Sequence, residues 1–257
     1  MRLLLVMGCM IVPMMVLAQN CPVYESFDVL DTTRWTLQLY SFDGNGCNFV
    51  SENVSTENSL LSLCITPNRY ALFAKKYNGG EIFDRNFFHF GYFSVRMKSI
   101  IKKGTVSSFF LLSQPASSDS LQYEMDIEFL GKDLHAVQLS THAIPDLSGQ
   151  VKSTTKIIPL GFDVSAGFHT YGILWTPEYI NWFVDDRFIY SSNACLPQRP
   201  MQIRMNHWGG DENHPTSLPW LGGAIDFEYL PSIVYYDWIK VFTLSEYYQL
   251  RQKQQKP

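Results

Sequence analysis

Apolar and polar residues alternate along most of the chain, which is the pattern of strands with one buried face. Turn-forming sequences such as Asn78-Gly79-Gly80 and Asp185-Asp186 separate the alternating segments, and no long stretch holds a helical period. The pattern predicts an all-β sandwich or jelly roll of antiparallel strands. The clearest predicted strands are residues 60–65, 92–97, 106–112, 123–129, 137–141, 171–175, 180–184 and 233–242.

One predicted strand carries an unusual set of acids. The stretch LQYEMDIEFL, residues 121–130, places Glu124, Asp126 and Glu128 at every second position, in a chain that is only 17% charged. In a strand these three side chains share one face, while the apolar residues between them enter the core. Neighbouring carboxylates repel one another and raise the pKa of at least one of them. A strand built only for stability does not need this arrangement.

Glycoside hydrolysis does use such a set, because one carboxylate attacks the sugar carbon and a second, kept protonated, donates to the leaving oxygen. A flat strand holds the Cα atoms of Glu124 and Glu128 roughly 13 Å apart at ~3.3 Å per residue. The retaining reaction needs the carboxyl groups at about 5–5.5 Å. The sheet is therefore expected to be concave, so that the two side chains converge over Asp126. A solvated strand face and a calcium site are the alternatives.

The two ends of the chain differ from its centre. The start, MRLLLVMGCMIVPMMVLAQN, has one positive residue, an apolar run and a small-residue cleavage site after Ala18, which predicts a secretory signal over residues 1–18. A membrane anchor is the alternative, although the run is short for a bilayer span and contains Pro13. Residues 246–257 lose the alternation and are predicted to form a frayed polar tail, which leaves one domain over residues 19–245.

Composition restricts the expected binding partners and the expected oxidation state of the cysteines. The net charge is −4 and the basic residues are scattered, so nucleic acid is not an expected partner. After signal cleavage four cysteines remain, Cys21, Cys47, Cys64 and Cys195, and in an exported protein they predict one or two disulfides. The spacing of Cys and His shows no zinc motif.

Three stretches together resemble glycoside hydrolase family 16: GTVSSFFLLS (104–113), EMDIEFLGKD (124–133) and GFHTYGILWTPEYINWFVDD (167–186). The resemblance runs from about residue 27 to residue 243. It implies a concanavalin-like β-jelly-roll sandwich of two curved antiparallel sheets, with a sugar-binding cleft on the concave face. It also implies a retaining double displacement in which Glu124 is the nucleophile, Asp126 its electrostatic helper and Glu128 the general acid/base.

The same resemblance assigns further positions to the sugar cleft. Each aromatic among them has core packing as its alternative, since buried aromatics are common. Ser140 and His142 stand where bacterial lichenases carry an Asn and a Tyr, and Phe83 stands where they carry an Arg, so the subsites are expected to differ. The predicted substrate-binding residues are Glu81, Phe110, His142, Asn206, Trp208 and Trp220.

Parts of the chain resemble different branches of this family. EFLGKD and IIPLGFDVSAGFHTY resemble lichenases, FHTYGILW also resembles xyloglucan transglycosylases, and HWGGDENHPTSLPWLGGAIDF resembles fungal glucan-chitin transglycosylases. The resemblance therefore implies an endo-acting β-1,3/1,4-glucanase, with cell-wall transglycosylation as the second possibility and a carbohydrate-binding module without turnover as a distant third. The expected protein is a secreted extracellular or periplasmic monomer, free of the membrane after signal cleavage. It requires no cofactor for catalysis, and a structural calcium ion, found in relatives, has no identified ligands here.

Overall fold

The computed structural model describes residues 23–69, 75–114, 121–144 and 151–254, so the predicted signal segment and Cys21 lie outside the described residues. Strands form nearly all of the regular structure, and the eight predicted strand segments all lie within observed strands. The strands are β1 (Val23–Glu25), β2 (Trp35–Leu37), β3 (Cys47–Phe49), β4 (Val54–Glu57), β5 (Leu60–Pro67), β6 (Tyr77–Asp84), β7 (Gly91–Ile100), β8 (Thr105–Ser113), β9 (Gln122–Leu130), β10 (Ala136–Ile144), β11 (Lys152–Pro159), β12 (His169–Trp175), β13 (Ile180–Val184), β14 (Arg187–Ser192), β15 (Met201–Gly209) and β16 (Ser232–Phe242).

The strands form two curved sheets that meet where β5 pairs with β6. The first sheet has the order β11-β10-β9-β8-β15-β6, with β2 beside β6. The second has the order β5-β16-β7-β12-β13-β14, with β1 beside β16 and β4 beside β5. Neighbouring strands are antiparallel, apart from the short parallel pair of β3 and β6. The predicted all-β jelly roll is therefore confirmed.

The inner faces of the two sheets share one hydrophobic core. From the first sheet, Met125, Ile127 and Phe129 of β9 point inward and are almost fully buried. They meet residues of the second sheet such as Tyr171, whose ring makes an edge contact with Phe129 at 4.7 Å between centroids. Burying an apolar side chain of this size contributes about 1.5–3 kcal/mol. The alternate residues of β9, which are the acids, must therefore face away from the core.

Two tight hairpins have short polar residues at their two-residue turns. Asp185 and Asp186 join β13 to β14, and both have positive φ angles, 47° and 61°. Asn58 and Ser59 join β4 to β5 in the same way, with φ angles of 52° and 58°. Two-residue turns of this hand match the twist of paired strands, and Asp and Asn tolerate them better than most residues.

The prediction of a frayed tail from residue 246 was wrong for most of that segment. A helix, Leu244–Gln254, follows β16 directly. Thr243 and Glu246 form a reciprocal cap at its start: the Thr243 N–H donates to Glu246 Oε2 at 2.9 Å, and the Glu246 N–H donates to Thr243 Oγ1 at 3.3 Å. The ring of Tyr247 then packs on Tyr92 of β7, at 4.7 Å between centroids.

The described cysteines do not form the predicted disulfides. Cys47, Cys64 and Cys195 are all free thiols. Cys47 is fully buried in a small cluster with Trp208, whereas Cys64 lies on the outward-facing side of β5, so their side chains point in different directions. In the part of the chain that the structure describes, no helix is long and apolar enough to cross a bilayer.

Candidate active site

Strand β9 holds its three acids in a fixed register between β8 and β10. Each acid is paired on one side with a residue of β8 and on the other with a polar residue of β10. From one end of the row to the other, Glu124 lies between Leu112 and His142, Asp126 between Phe110 and Ser140, and Glu128 between Ser108 and Gln138.

The row of acids forms the floor of a cleft of about 510 Å³ on the outer face of the first sheet. Of the predicted substrate-binding residues, Glu81, Phe110, Asn206 and Trp208 line the same cleft. Residues 38, 40, 41 and 42, in the segment after β2, line its far side. The register of β6, β15, β8 and β9 thus brings together residues that are more than one hundred positions apart in sequence.

Burial raises the pKa of all three acids. For Glu124 burial acts first and the charge of Asp126 adds to it. For Asp126 burial acts first and the charge of Glu128 adds to it. Burial raises the pKa of Glu128 to about 7, although a hydrogen bond from Gln138 works in the opposite direction. The site therefore keeps protons at neutral pH that ordinary carboxyl groups have lost, and it can hold one ionised and one protonated acid side by side.

Glu128 is held by a relay that the sequence prediction missed. Gln138 Nε2 donates to Glu128 Oε2 at 2.7 Å, and Trp220 Nε1 donates to Gln138 Oε1 at 3.1 Å. The indole thereby fixes which end of the amide faces the acid. Trp220 was predicted to contact sugar, and the structure places its indole N–H on Gln138. Gln138 could have been found, because it alternates with Ser140 and His142 on the strand that follows the acids.

His142 lies at the opposite end of the row. Its Nε2 is 3.2 Å from Asp126 Oδ2, and its Nδ1 is 2.7 Å from the hydroxyl of Ser153 on β11. The side chain keeps 26% of its surface exposed. The sequence predicted a substrate contact, and the structure shows a contact with the middle acid.

Glu81 forms a buried ion pair from across the cleft. Arg204 Nη1 donates to Glu81 Oε1 at 2.9 Å, and Asn206 Nδ2 donates to Glu81 Oε2 at 3.3 Å. The guanidinium also lies 4.5 Å from the ring centroid of Phe83. Phe83 occupies the position where the resemblance expects an arginine, and Arg204, on the neighbouring strand, supplies the positive charge instead. Arg204 could have been found in the sequence, because it alternates with Asn206 and Trp208 along β15.

The aromatic residues of the cleft fall into two groups. Phe110 and Trp208 line the cleft but are only 5% and 8% exposed. Both rings therefore also pack in the protein interior, which was the alternative predicted for them. Tyr40 and Phe42, which the sequence analysis did not select, are 72% and 44% exposed and line the same cleft. Apolar ring faces of this kind suit the flat faces of sugar rings.

Lys75 fixes the segment that carries those two aromatics. Its ammonium group donates to Ser41 Oγ at 2.9 Å and to the carbonyl of Phe42 at 3.1 Å, and it also contacts the carbonyl of Asn45. Phe42 in turn makes an edge contact with Trp208, at 4.9 Å between ring centroids. The far wall of the cleft is therefore held to the sheet.

Among the described residues, no cluster of three or more His, Cys, Asp or Glu side chains is arranged to hold a metal ion. The acids of β9 instead contact polar residues of β10, Glu128 with Gln138 and Asp126 with His142. The calcium ion suggested by the resemblance stays a prediction without a ligand set.

Comparisons with known proteins agree with this geometry. The model of the family described as glycosyl hydrolases family 16 matches residues 45–229. A β-glucanase of Brevibacillus brevis is 33% identical over 232 residues, which are 89% of this chain and 84% of that protein. The crystal structure of a β-1,3-1,4-glucanase (lichenase) from a mouse hindgut metagenome superposes with a TM-score of 0.76 at 30% identity, covering 87% of this chain and 99% of that one. A β-glucanase structure from Bacillus licheniformis gives a TM-score of 0.75 at 30% identity, covering 86% of this chain and 98% of that one.

Proposed function

The chain belongs to family 16 of the glycosyl hydrolases, and we propose that it is an endo-acting, retaining β-glucanase that cleaves mixed β-1,3/1,4-linked glucan. The observation that carries this proposal is the row of Glu124, Asp126 and Glu128 on the floor of one cleft, each with a raised pKa. The choice of glucan is supported by relatives named β-glucanase and by a similar structure named as a lichenase.

In the proposed reaction, the carboxylate of Glu124 attacks the anomeric carbon of a β-linked glucosyl unit. The bond from that carbon to the glycosidic oxygen breaks, and the proton of Glu128 passes to the departing oxygen. A covalent glycosyl-enzyme remains on Glu124. Glu128, now ionised, removes a proton from an incoming water, whose oxygen displaces Glu124 from the anomeric carbon. Two inversions give net retention of configuration.

The surroundings of the acids suit these two roles. Glu128 must hold a proton near neutral pH, and burial raises its pKa to about 7. Glu124 must be ionised to attack, although burial and the charge of Asp126 raise its pKa. The reactive state is therefore the one in which Asp126 and Glu128 hold protons and Glu124 carries the charge. Gln138 keeps the carboxyl of Glu128 in one orientation for both proton transfers.

Endo action is supported by the extent of the cleft. Its lining residues come from five neighbouring strands, β6, β15, β8, β9 and β10. At a strand spacing of about 4.8 Å, these five strands span about 19 Å. A groove of that length fits an internal stretch of a polysaccharide better than a single terminal sugar. Export remains a prediction from the first 18 residues.

The test is a product analysis of the purified protein, beside a Glu124→Gln variant that keeps the shape of the side chain. Substrates are barley mixed-linkage glucan, laminarin, xyloglucan and cellulose, each with and without a labelled oligosaccharide acceptor. We expect short oligosaccharides from mixed-linkage glucan, unlabelled by the acceptor and absent with the variant. Label carried into longer chains would instead make the protein a transglycosylase. Glucan binding without turnover, unchanged in the variant, would make it a binding module.

A further inference from the structure

Strand β10 presents a polar row to the three acids of β9. Gln138, Ser140 and His142 are paired in register with Glu128, Asp126 and Glu124. Gln138 contacts the acid directly opposite it, but His142 contacts Asp126, the next acid along the row. His142 therefore acts at the end of the site where the nucleophile lies, and it acts through the middle acid.

The contact with His142 lies at an oxygen of Asp126 that has no hydrogen-bond partner among the described residues. This Oδ2 atom is shielded from solvent and has no well-aligned hydrogen bond to any described residue. The imidazole Nε2 atom lies 3.2 Å from this oxygen, close enough for charge attraction although the N–H is not aimed at it. A buried carboxyl oxygen without a partner is costly, so a polar ring beside it helps to fix the position of the carboxyl.

Few other cations face this part of the site. The β9 groups that face His142 are the carboxyls of Glu124, Asp126 and Glu128, and β11 contributes the neutral Ser153. Lys152 and Lys156 alternate with Ser153 along β11 and lie on the opposite face. Across the cleft, Arg204 is paired with Glu81. Among the ion pairs of the described residues, the pair of His142 with Asp126 is thus the one that reaches Glu124 and Asp126.

Ser153 allows the imidazole to keep its position in either protonation state. A hydroxyl can donate to Nδ1 when the ring is neutral and accept from it when the ring is charged. The Nδ1 to Oγ distance of 2.7 Å fits both cases. In each state Nε2 can carry a proton while it stays 3.2 Å from Asp126 Oδ2. The ring can therefore hold the same position with or without a charge.

We propose that His142, oriented by Ser153, is a positioning residue for the reaction: it holds the Asp126 carboxyl against Glu124 and favours the ionised nucleophile. This inference rests on the proposed function, in which Glu124 attacks the sugar. A charge on the ring lowers the pKa of Glu124 and of Glu128, against the larger effect of burial. Loss of the ring therefore leaves Glu124 protonated up to a higher pH.

The kinetic test measures kcat and KM across pH for the wild type, His142→Gln and Ser153→Ala on mixed-linkage glucan. We expect the acidic limb of the kcat profile to move up by about 0.5–1 pH unit in His142→Gln and less in Ser153→Ala, with KM changed less than about twofold. Thr155→Ala is the matched control, because Thr155 lies on the same face of β11 but contacts Ser140. An unmoved acidic limb with a raised KM would show that His142 is only a substrate contact.

A second readout needs no substrate. Carbon-13 NMR titration of labelled Asp and Glu carboxyls follows Glu124 and Asp126 in the folded wild type and in His142→Gln. The same upward shift is expected for at least one of these acids, and identical titration curves would overturn the inference. If the wild type cleaves no glucan, the proposed function fails, while this titration still decides the role of His142.

Discussion

At the scale of single residues, the neighbours on β10 distinguish the three acids of β9. Gln138 donates a hydrogen bond to Glu128, and this bond stabilises its ionised form. His142 lies beside Asp126 at the other end of the row. The acid/base and the nucleophile therefore have separate supports, as the two roles require.

Gln138→Leu tests the support of Glu128. The change removes the donor while keeping a side chain of similar size, so the pKa of Glu128 should rise further above about 7. Because the reaction needs this acid protonated, the basic limb of kcat/KM should move to higher pH by about 0.5–1 unit. Trp220→Phe, which replaces the indole by a phenyl ring and so removes the N–H that holds Gln138, should shift the limb less in the same direction. A basic limb that does not move in Gln138→Leu would contradict the relay.

The sequence could predict the acids but not their supports. Alternation along one strand was enough to place Glu124, Asp126 and Glu128 on one face. The contacts of Gln138 and Arg204 cross from strand to strand, and they depend on a pairing register that a single sequence does not reveal. His142 and Trp220 were selected from the sequence, but as sugar contacts, because their partners lie on other elements.

At the scale of elements, strands with one polar and one apolar face were predictable and the others were not. All nine residues of β15 are buried, since one face lies in the core and the other lines the cleft. Its residues alternate between apolar and polar from Met201 to Asn206, but His207 and Trp208 reverse that order, and the strand was not among those predicted. β11 is mostly exposed on both faces, and β1 to β4 are three or four residues long. The C-terminal helix was missed although its start carries a Thr-Leu-Ser-Glu capping pattern.

Thr243→Ala tests that helix. The substitution removes the hydroxyl that caps the Glu246 N–H, so the free energy of unfolding should fall by about 1 kcal/mol in urea titration. Activity should stay unchanged, because the helix packs on Tyr92, on the outer face of the sheet opposite the cleft. Ser245→Ala, in the first turn but outside the cap, is the control. Equal stability in the two variants would show that the cap contributes nothing.

At the scale of the whole molecule, a buried histidine links stability to pH. His207 points away from the cleft, with Nδ1 2.7 Å from the carbonyl of Val106 and Nε2 2.9 Å from Ser232 Oγ. Burial lowers its pKa to about 4. An imidazole in the unfolded chain binds a proton near pH 6.5. Between these two values the unfolded state binds more protons, so this contribution to stability is lost as the pH falls.

The free energy of unfolding should therefore decrease by up to about 3 kcal/mol between pH 6.5 and 4 from this residue. Glu128 acts in the opposite sense, because its raised pKa favours the folded state at lower pH. His207→Gln should be less stable at neutral pH but show a flatter decline on acidification. The control is His135→Gln, which changes an exposed imidazole. An undiminished decline in His207→Gln would assign the pH dependence to other groups.

The central claim is that the acids of β9 carry out a double displacement, with Glu124 as the nucleophile. The most direct measurement is proton NMR of the reducing-end anomer during the first minutes of hydrolysis of a mixed-linkage oligosaccharide, before mutarotation. The account predicts the β-anomer as the first product, with no signal from Glu124→Gln. The α-anomer as the first product would contradict it, because a single displacement by water inverts the configuration.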